Sequence, residues 1–160
     1  MTYTYNYSSP LGELLLAAND NSLIGLWFYG AKYFAAGLET ESTEKLTPVI
    51  GETLHWLDMY FSGSEPDFTP SLELHGSDFR RRVWAELMKI PYGETAAYGE
   101  LAKKLGVRSA QAVGGAVGHN PISIIVPCHR VLGADGSLTG YAGGVDKKER
   151  LLELEHKHGK

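Results

Sequence analysis

The segment at 110–118, AQAVGGAVG, constrains this chain more than any other. Six of its nine residues are alanine or glycine. It lies between a serine suited to cap a helix and an Asn-Pro pair suited to end one. A helix so poor in large side chains gains little from burial, and each interior glycine costs about 1 kcal/mol against alanine. It belongs where only a thin rod fits. Close packing against a neighbouring helix or strand is one such place. A narrow space such as the DNA minor groove is another, being about 6 Å wide against ~10–12 Å for a helix with full side chains. The two are compatible, since each can use a different face.

Upstream, TAAYGELAKKLG reads as a partner helix from a Thr95 cap to Leu105, ended by Gly106, so that the pair has a helix-turn-helix layout. Charge divides the chain in a way that bears on this. Residues 1–75 carry two basic and ten acidic side chains, whereas residues 76–160 carry thirteen basic and nine acidic. Either the C-terminal half meets something anionic or its surface charge has drifted.

The first 30 residues read as β-structure. TYTYNY alternates, placing Tyr3, Tyr5 and Tyr7 on one face, and GELLLAA and SLIGLWF follow around the turn signal NDN. An antiparallel three-strand meander is expected. Residues 42–61 then take helical spacing through Leu46, Ile50, Leu54, Leu57 and Phe61, with Ser42 or Thr43 as cap. The proline-bearing stretch 62–71 reads as a linker. Beyond it Phe79, Val83, Trp84, Leu87 and Met88 mark a short helix, with Arg80, Arg81 and Arg82 on its other side. An α+β chain of two domains is expected, 1–70 and 76–160. No apolar run approaches the ~20 residues of a membrane span. The N-terminus lacks a secretory pattern, and one cysteine makes no internal disulfide, so a cytoplasmic location is expected.

That cysteine, Cys128, sits in SIIVPCHRV. The apolar lead suits a small buried residue. The neighbours His129 and Arg130 suit a reactive thiol, because nearby positive charge lowers a thiol's pKa. In an extended strand His129 would face away from Cys128, so a dyad needs a turn at Pro127 or a bridging water. Glu155, on the amphipathic last helix, can orient the imidazole as a third member. The adjacency of Cys and His suits poorly a hydrolase with an oxyanion hole. It suits better a thiolate that attacks an alkyl carbon.

IIVPCHRV, with GHNP upstream and GYAGG downstream, closely resembles the O6-alkylguanine-DNA alkyltransferase family (methylated-DNA–protein-cysteine methyltransferases). RRVWAELMKIPYGETAAYGELA and SSPLGELLLAA are similar to it as well, so the resemblance spans nearly the whole chain. It implies a ribonuclease H-like N-terminal domain and a winged-helix-like C-terminal domain that docks in the minor groove. It further implies stoichiometric transfer of an alkyl group from O6 of guanine, and of O4 of thymine in some cases, to Cys128. His129 would deprotonate the thiol through a water and Glu155 would polarise the histidine. Asn120 would hold the turn, and Tyr98 would help rotate the nucleotide out and protonate the base. Ser123, Val131 and Tyr141 fall on pocket positions. Tyr98, Gly99, Gln111, Ala112, Gly115, Arg130 and Ala134 fall on DNA-contacting ones. Gln111 stands where many members have an arginine that fills the vacated space. Some members hold a zinc through N-terminal cysteines, which this chain lacks, so no metal or other cofactor is implied. The implied partner is double-stranded DNA carrying O6-alkylguanine, met by a monomer with no obligate protein partner and no membrane. Two other readings stay open on the residues alone: a sensor of alkylated bases that leaves the lesion in place, and a thiol hydrolase of small substrates.

Overall fold

The computed structural model describes residues 1–39, 41–138 and 140–158. Strands β1 (Tyr3–Ser9), β2 (Gly12–Ala18) and β3 (Leu23–Phe28) form the expected meander. Asn19 makes the second turn, its Oδ1 accepting from the backbone of Asn21 and Ser22 at 2.9 and 2.8 Å. The sheet is wider than three strands. A short β4 (Thr43–Glu44) pairs parallel to β1, giving the order β3-β2-β1-β4.

Residues 43 and 44 are therefore strand, not helix. Helix α1 (Pro48–Phe61) starts later, with Thr47 as cap, its hydroxyl accepting from Ile50 N at 3.4 Å. Pro48 explains the shift. It suits the first turn of a helix but disfavours helical backbone at the residue before it. Leu46, expected on the helix stripe, is consequently exposed. Val49, Ile50, Thr53, Trp56, Leu57 and Tyr60 are the buried positions of α1.

Helix α2 (Asp78–Leu87) is capped by Ser77 and buries Val83, Trp84 and Leu87, while Met88 falls just past its end and is exposed. Helix α3 (Tyr98–Leu105) has its cap at Ala97, two residues after the expected Thr95, because Ala96–Ala97 form β5, which pairs parallel with β6 (Val131–Leu132). Gly106 ends α3 in left-handed backbone, φ +71°. Helix α4 (Ala110–Gly118) has its Ser109 cap accepting from Ala112 N at 3.1 Å, and α5 (Val145–His158) closes the chain. The chain is thus α+β, with a four-stranded N-terminal sheet and five α-helices among the described residues. Among the described residues no helix is long and apolar enough to cross a membrane.

The small residues of α4 face a close neighbour on one side. Trp84 of α2 donates its indole N–H to Ala116 O at 2.8 Å, and Val113, Ala116 and Val117 are buried. One apolar cluster runs through both halves of the chain, from Leu14 and Leu57 to Val126 and Leu151. The outer edge of β3 positions the reactive segment. Leu26 N donates to Pro121 O at 2.8 Å and Leu26 O accepts from Ser123 N at 2.9 Å, so the N-terminal sheet carries the stretch that leads to Cys128.

Gly25 on this strand lies under the Trp27 ring, and a Cβ there would come within 2.1 Å of it. Close approach of a ring is a reason for glycine inside a strand. Gly25→Ala is expected to destabilise the fold by about 1–3 kcal/mol through overpacking, measured by urea unfolding.

Candidate active site around Cys128

From Asn120 to Arg130 the chain makes consecutive tight turns instead of the buried strand its apolar residues predict. The Asn120 side chain clamps them. Its amide donates to Ile122 O (3.2 Å) and Val126 O (2.8 Å), and its Oδ1 accepts from Ile122 N (3.0 Å). Inside the clamp Ile124 has φ +71°, costly for a β-branched residue and tolerated only where surrounding contacts determine it. Pro127, at φ −81° and ψ 64°, forms an inverse γ-turn in which Cys128 N donates to Val126 O at 2.8 Å. Cys128–Arg130 then make one turn of 3-10 helix. A run of β-branched residues gives no hint of these turns, because they are imposed from Asn120 and from β3.

The turn at Pro127 brings His129 inward with Cys128. His129 is fully buried, and its Nε2 lies 2.5 Å from Glu155 Oε2. Glu155, 1 % exposed, is far from the surface position such a residue usually takes. It also accepts from Tyr60 Oη (2.6 Å), Gly93 N (3.3 Å) and Arg130, from Nε at 2.8 Å and Nη2 at 3.1 Å. Arg130 spends its remaining reach on Ile90 O at 2.7 Å. The sequence reading placed Arg130 at a DNA contact; in the fold its guanidinium is 8 % exposed and its donors go to a carboxylate and a carbonyl.

Burial pushes the Glu155 carboxyl up, but the hydrogen bonds and charges of His129 and Arg130 outweigh it and hold it at about 2. The permanent cation is Arg130. Burial drives His129 below its ordinary value against the pull of Glu155, so the imidazole is neutral. Donation from Nε2 to the carboxylate makes Nδ1 the basic nitrogen, and Nδ1 has no hydrogen-bond partner among the described residues.

The thiol departs from expectation. Burial raises Cys128 to about 11, against smaller downward effects from Asn120 and the charge of Lys148. Its neighbours in sequence do not lower it, because Arg130 is neutralised by Glu155 and His129 is uncharged. The cation that does act on it, Lys148 on α5, was missed in the sequence. Lys148 is buried, its own pKa lowered by that burial although Cys128 opposes the shift, and its ammonium lies 5.8 Å from the Tyr98 ring centroid. The signal was available: Lys148, Leu151 and Glu155 share one helix face, and a lysine and a glutamate in an apolar stripe are seldom idle.

A cavity of about 490 Å³ adjoins this centre through Tyr141 and is lined also by Tyr98, Gln111, Gly114, Gly115 and Gly118 and, from the N-terminal half, Lys32 and Tyr33. A Cβ at Gly114 would make ordinary van der Waals contact with the Tyr98 ring, 3.8 Å away. Tyr141 reaches back from the cavity to feel both Cys128 and Ser123. Gln111, Ala112 and Gly115 lie exposed on one side of α4, with Gly99 exposed in the first turn of α3 and Ala134 exposed just after β6. Ser123 is half-buried and Val131 fully buried, and neither lines the cavity. No three His, Cys, Asp or Glu side chains cluster as metal ligands among the described residues.

Two family models match the chain. One, described as 6-O-methylguanine DNA methyltransferase, ribonuclease-like domain, covers residues 1–74, and the other, 6-O-methylguanine DNA methyltransferase, DNA binding domain, covers 78–157. A methylated-DNA–protein-cysteine methyltransferase from Mycolicibacterium paratuberculosis is 48 % identical over 151 residues, 94 % of this chain and 90 % of the relative. One from Methanosarcina barkeri is 46 % identical over 149 residues, 92 % of each. The crystal structure of Mycobacterium tuberculosis OGT in complex with DNA superposes with a TM-score of 0.89 at 43 % identity, covering 98 % of this chain and 94 % of that one.

The ionic network has a pH signature. A carboxyl lower in the folded than the unfolded chain stabilises fully above about 4.5 and loses that contribution as pH falls toward about 2. His129, kept neutral, adds a loss that begins below its ordinary 6.5. Urea unfolding at a series of pH values should therefore show stability falling from pH 6.5 downward, with roughly 3 kcal/mol lost through Glu155. Asn120→Ala should remove ~2 kcal/mol or more at pH 7, since buried Ile122 N loses its partner and the Ile122 and Val126 carbonyls each lose one of two donors.

Proposed function

Because the chain belongs to the 6-O-methylguanine DNA methyltransferase family, we propose that Cys128 is the acceptor to which it moves the methyl group of O6-methylguanine in DNA. The chain is a DNA-repair methyltransferase of the methylated-DNA–protein-cysteine class. The observation that supports the residue assignment is the buried Cys128–His129–Glu155 run, in which Nδ1 of a neutral imidazole is left as a free acceptor.

The chemistry follows from that state. A thiol near 11 is protonated at rest, so it is inert until a base takes its proton. Nδ1 of His129 accepts it, directly or through one water, and the imidazolium so formed is stabilised by the Glu155 carboxylate. The sulfur displaces the methyl carbon from O6. A C–S bond forms as the C–O bond breaks, and the electron pair passes into the purine. Tyr98 supplies a proton to the ring, because guanine leaves badly as an anion and well once protonated. The thioether has no route back, so each molecule acts once.

The alkylated base starts inside a duplex stack, and reaching a buried thiol requires that it be flipped out. The cavity between Tyr98, Tyr141 and α4 is suited in size and lining to receive it. The exposed small residues Ala112 and Gly115 suit α4 to the minor groove, with Gln111 at its leading end. In this reading residues 1–70 are a ribonuclease H-like scaffold and 76–160 a winged-helix-like reactive domain. The chain acts as a cytoplasmic monomer on double-stranded DNA, and O4-alkylthymine is a second substrate.

A duplex carrying labelled O6-methylguanine tests the assignment. About one label per chain should reach the protein, and Cys128→Ser should abolish transfer while leaving DNA binding. Binding with no transfer by the unchanged chain would mean a sensor instead. His129→Ala should slow transfer by a factor of about 10²–10⁴, the usual range for a lost general base, with little change in Kd; equal losses in both would make the residue structural. Gln111→Arg should tighten duplex binding and steepen its salt dependence.

A further inference from the structure

We propose that Lys32, from the acidic N-terminal half, contacts a backbone phosphate of the strand whose nucleotide enters the cavity. This inference rests on the proposed function. Residues 1–75 hold only two basic side chains among ten acidic ones. One of the two, Lys45, lies beside β4 with its ammonium 5.7 Å from the Tyr3 ring centroid. The other, Lys32, is exposed and lines the cavity together with Gln111.

Its placement there is built. The segment 29–38 leaves β3 and runs through successive i to i+3 turns, closed by Phe34 N to Ala31 O, Ala36 N to Tyr33 O and Leu38 N to Ala35 O. Phe34 packs on Trp27 and Tyr29. Two contacts then fasten the segment to the reactive half. Lys32 N donates to Ala142 O at 2.9 Å, next to Tyr141. The Tyr33 ring stacks on His119 at 3.8 Å between centroids, and His119 Nδ1 is 2.7 Å from Gly115 O of α4. The segment has no acidic side chain between Tyr29 and Leu38, so its one charge is the cation it presents. Lys32 is exposed, with its ammonium 5.5 Å from the Tyr33 ring centroid.

The position has a physical use. Backbone phosphates carry most of the affinity of a protein for DNA, through lysine and arginine that release counterions. The face of α4 at this cavity is nearly chargeless, with Gln111 at the usual arginine site and glycines at 114, 115 and 118. Lys32 brings a charge to that rim from the other half of the chain. Flipping a nucleotide swings its flanking phosphates toward the mouth of the receiving pocket, where an ammonium can hold them.

The test measures binding of a Cys128→Ser full-length chain to an O6-methylguanine duplex between 50 and 200 mM salt. Adding Lys32→Gln should make the log–log salt slope shallower by about 0.9, so the affinity lost across that range shrinks roughly 3.5-fold. Lys45→Gln should leave the slope unchanged, and Lys32→Arg should keep it. A Lys32→Gln slope equal to the parent's, with the parent binding the duplex, would overturn this inference alone. A parent that fails to bind the duplex would overturn it together with the proposed function.

Discussion

The carboxylate of Glu155 holds the reactive centre together. It receives hydrogen bonds from a tyrosine of the first helix, a backbone amide in the loop before β5, the imidazole next to the thiol and the guanidinium beyond it. Three separate parts of the chain, α1, the loop before β5 and the Cys128–Arg130 turn, thus converge on one side chain. Burying a lone carboxylate is prohibitive, and burying one with a full set of donors is not. Arg130 supplies the charge, and the neutral donors complete the shell. The same bonds set the tautomer of His129, so structural and chemical demands are met by one group.

The thiol has the opposite character. It is buried, protonated and inert at rest. For a residue used once this is an advantage, because a permanently ionised cysteine would react with any small electrophile or oxidant. The next residue carries an imidazole nitrogen with no hydrogen-bond partner among the described residues, the group to which the proposed function assigns the thiol proton. The strained Ile124 belongs to the same design. The Asn120 clamp and the β3 edge force the chain to double back, and Cys128 is buried behind Tyr141 of the cavity wall instead of continuing along a strand.

The N-terminal half, acidic and without a reactive group, has a clear mechanical role in this arrangement. Its β3 edge pairs with Pro121 and Ser123, its Tyr60 donates to Glu155, and the segment after β3 forms one wall of the cavity. Charge counts along the chain separate the two halves. The folded molecule joins them through a shared core.

Local features were legible in the residues alone. The meander, the Ser109 cap, the Gly106 stop and the thinness of α4 each depend on neighbours a few positions away, and capping, turn chemistry and periodicity are short-range physics. The Cys-His pair and the distant Glu155 could be named as partners, with the motif's resemblance adding their roles. What the residues could not convey was environment. Arg130 reads as an exposed cation until Glu155 and Ile90 are seen to enclose it, and Lys148 reads as a surface residue until its helix face turns inward. The direction of the Cys128 shift depended on burial outweighing Asn120 and Lys148, both distant in sequence. Burial, and the identity of the charge that reaches a given atom, are sums over contacts far apart in the chain, so only the tertiary structure decides them.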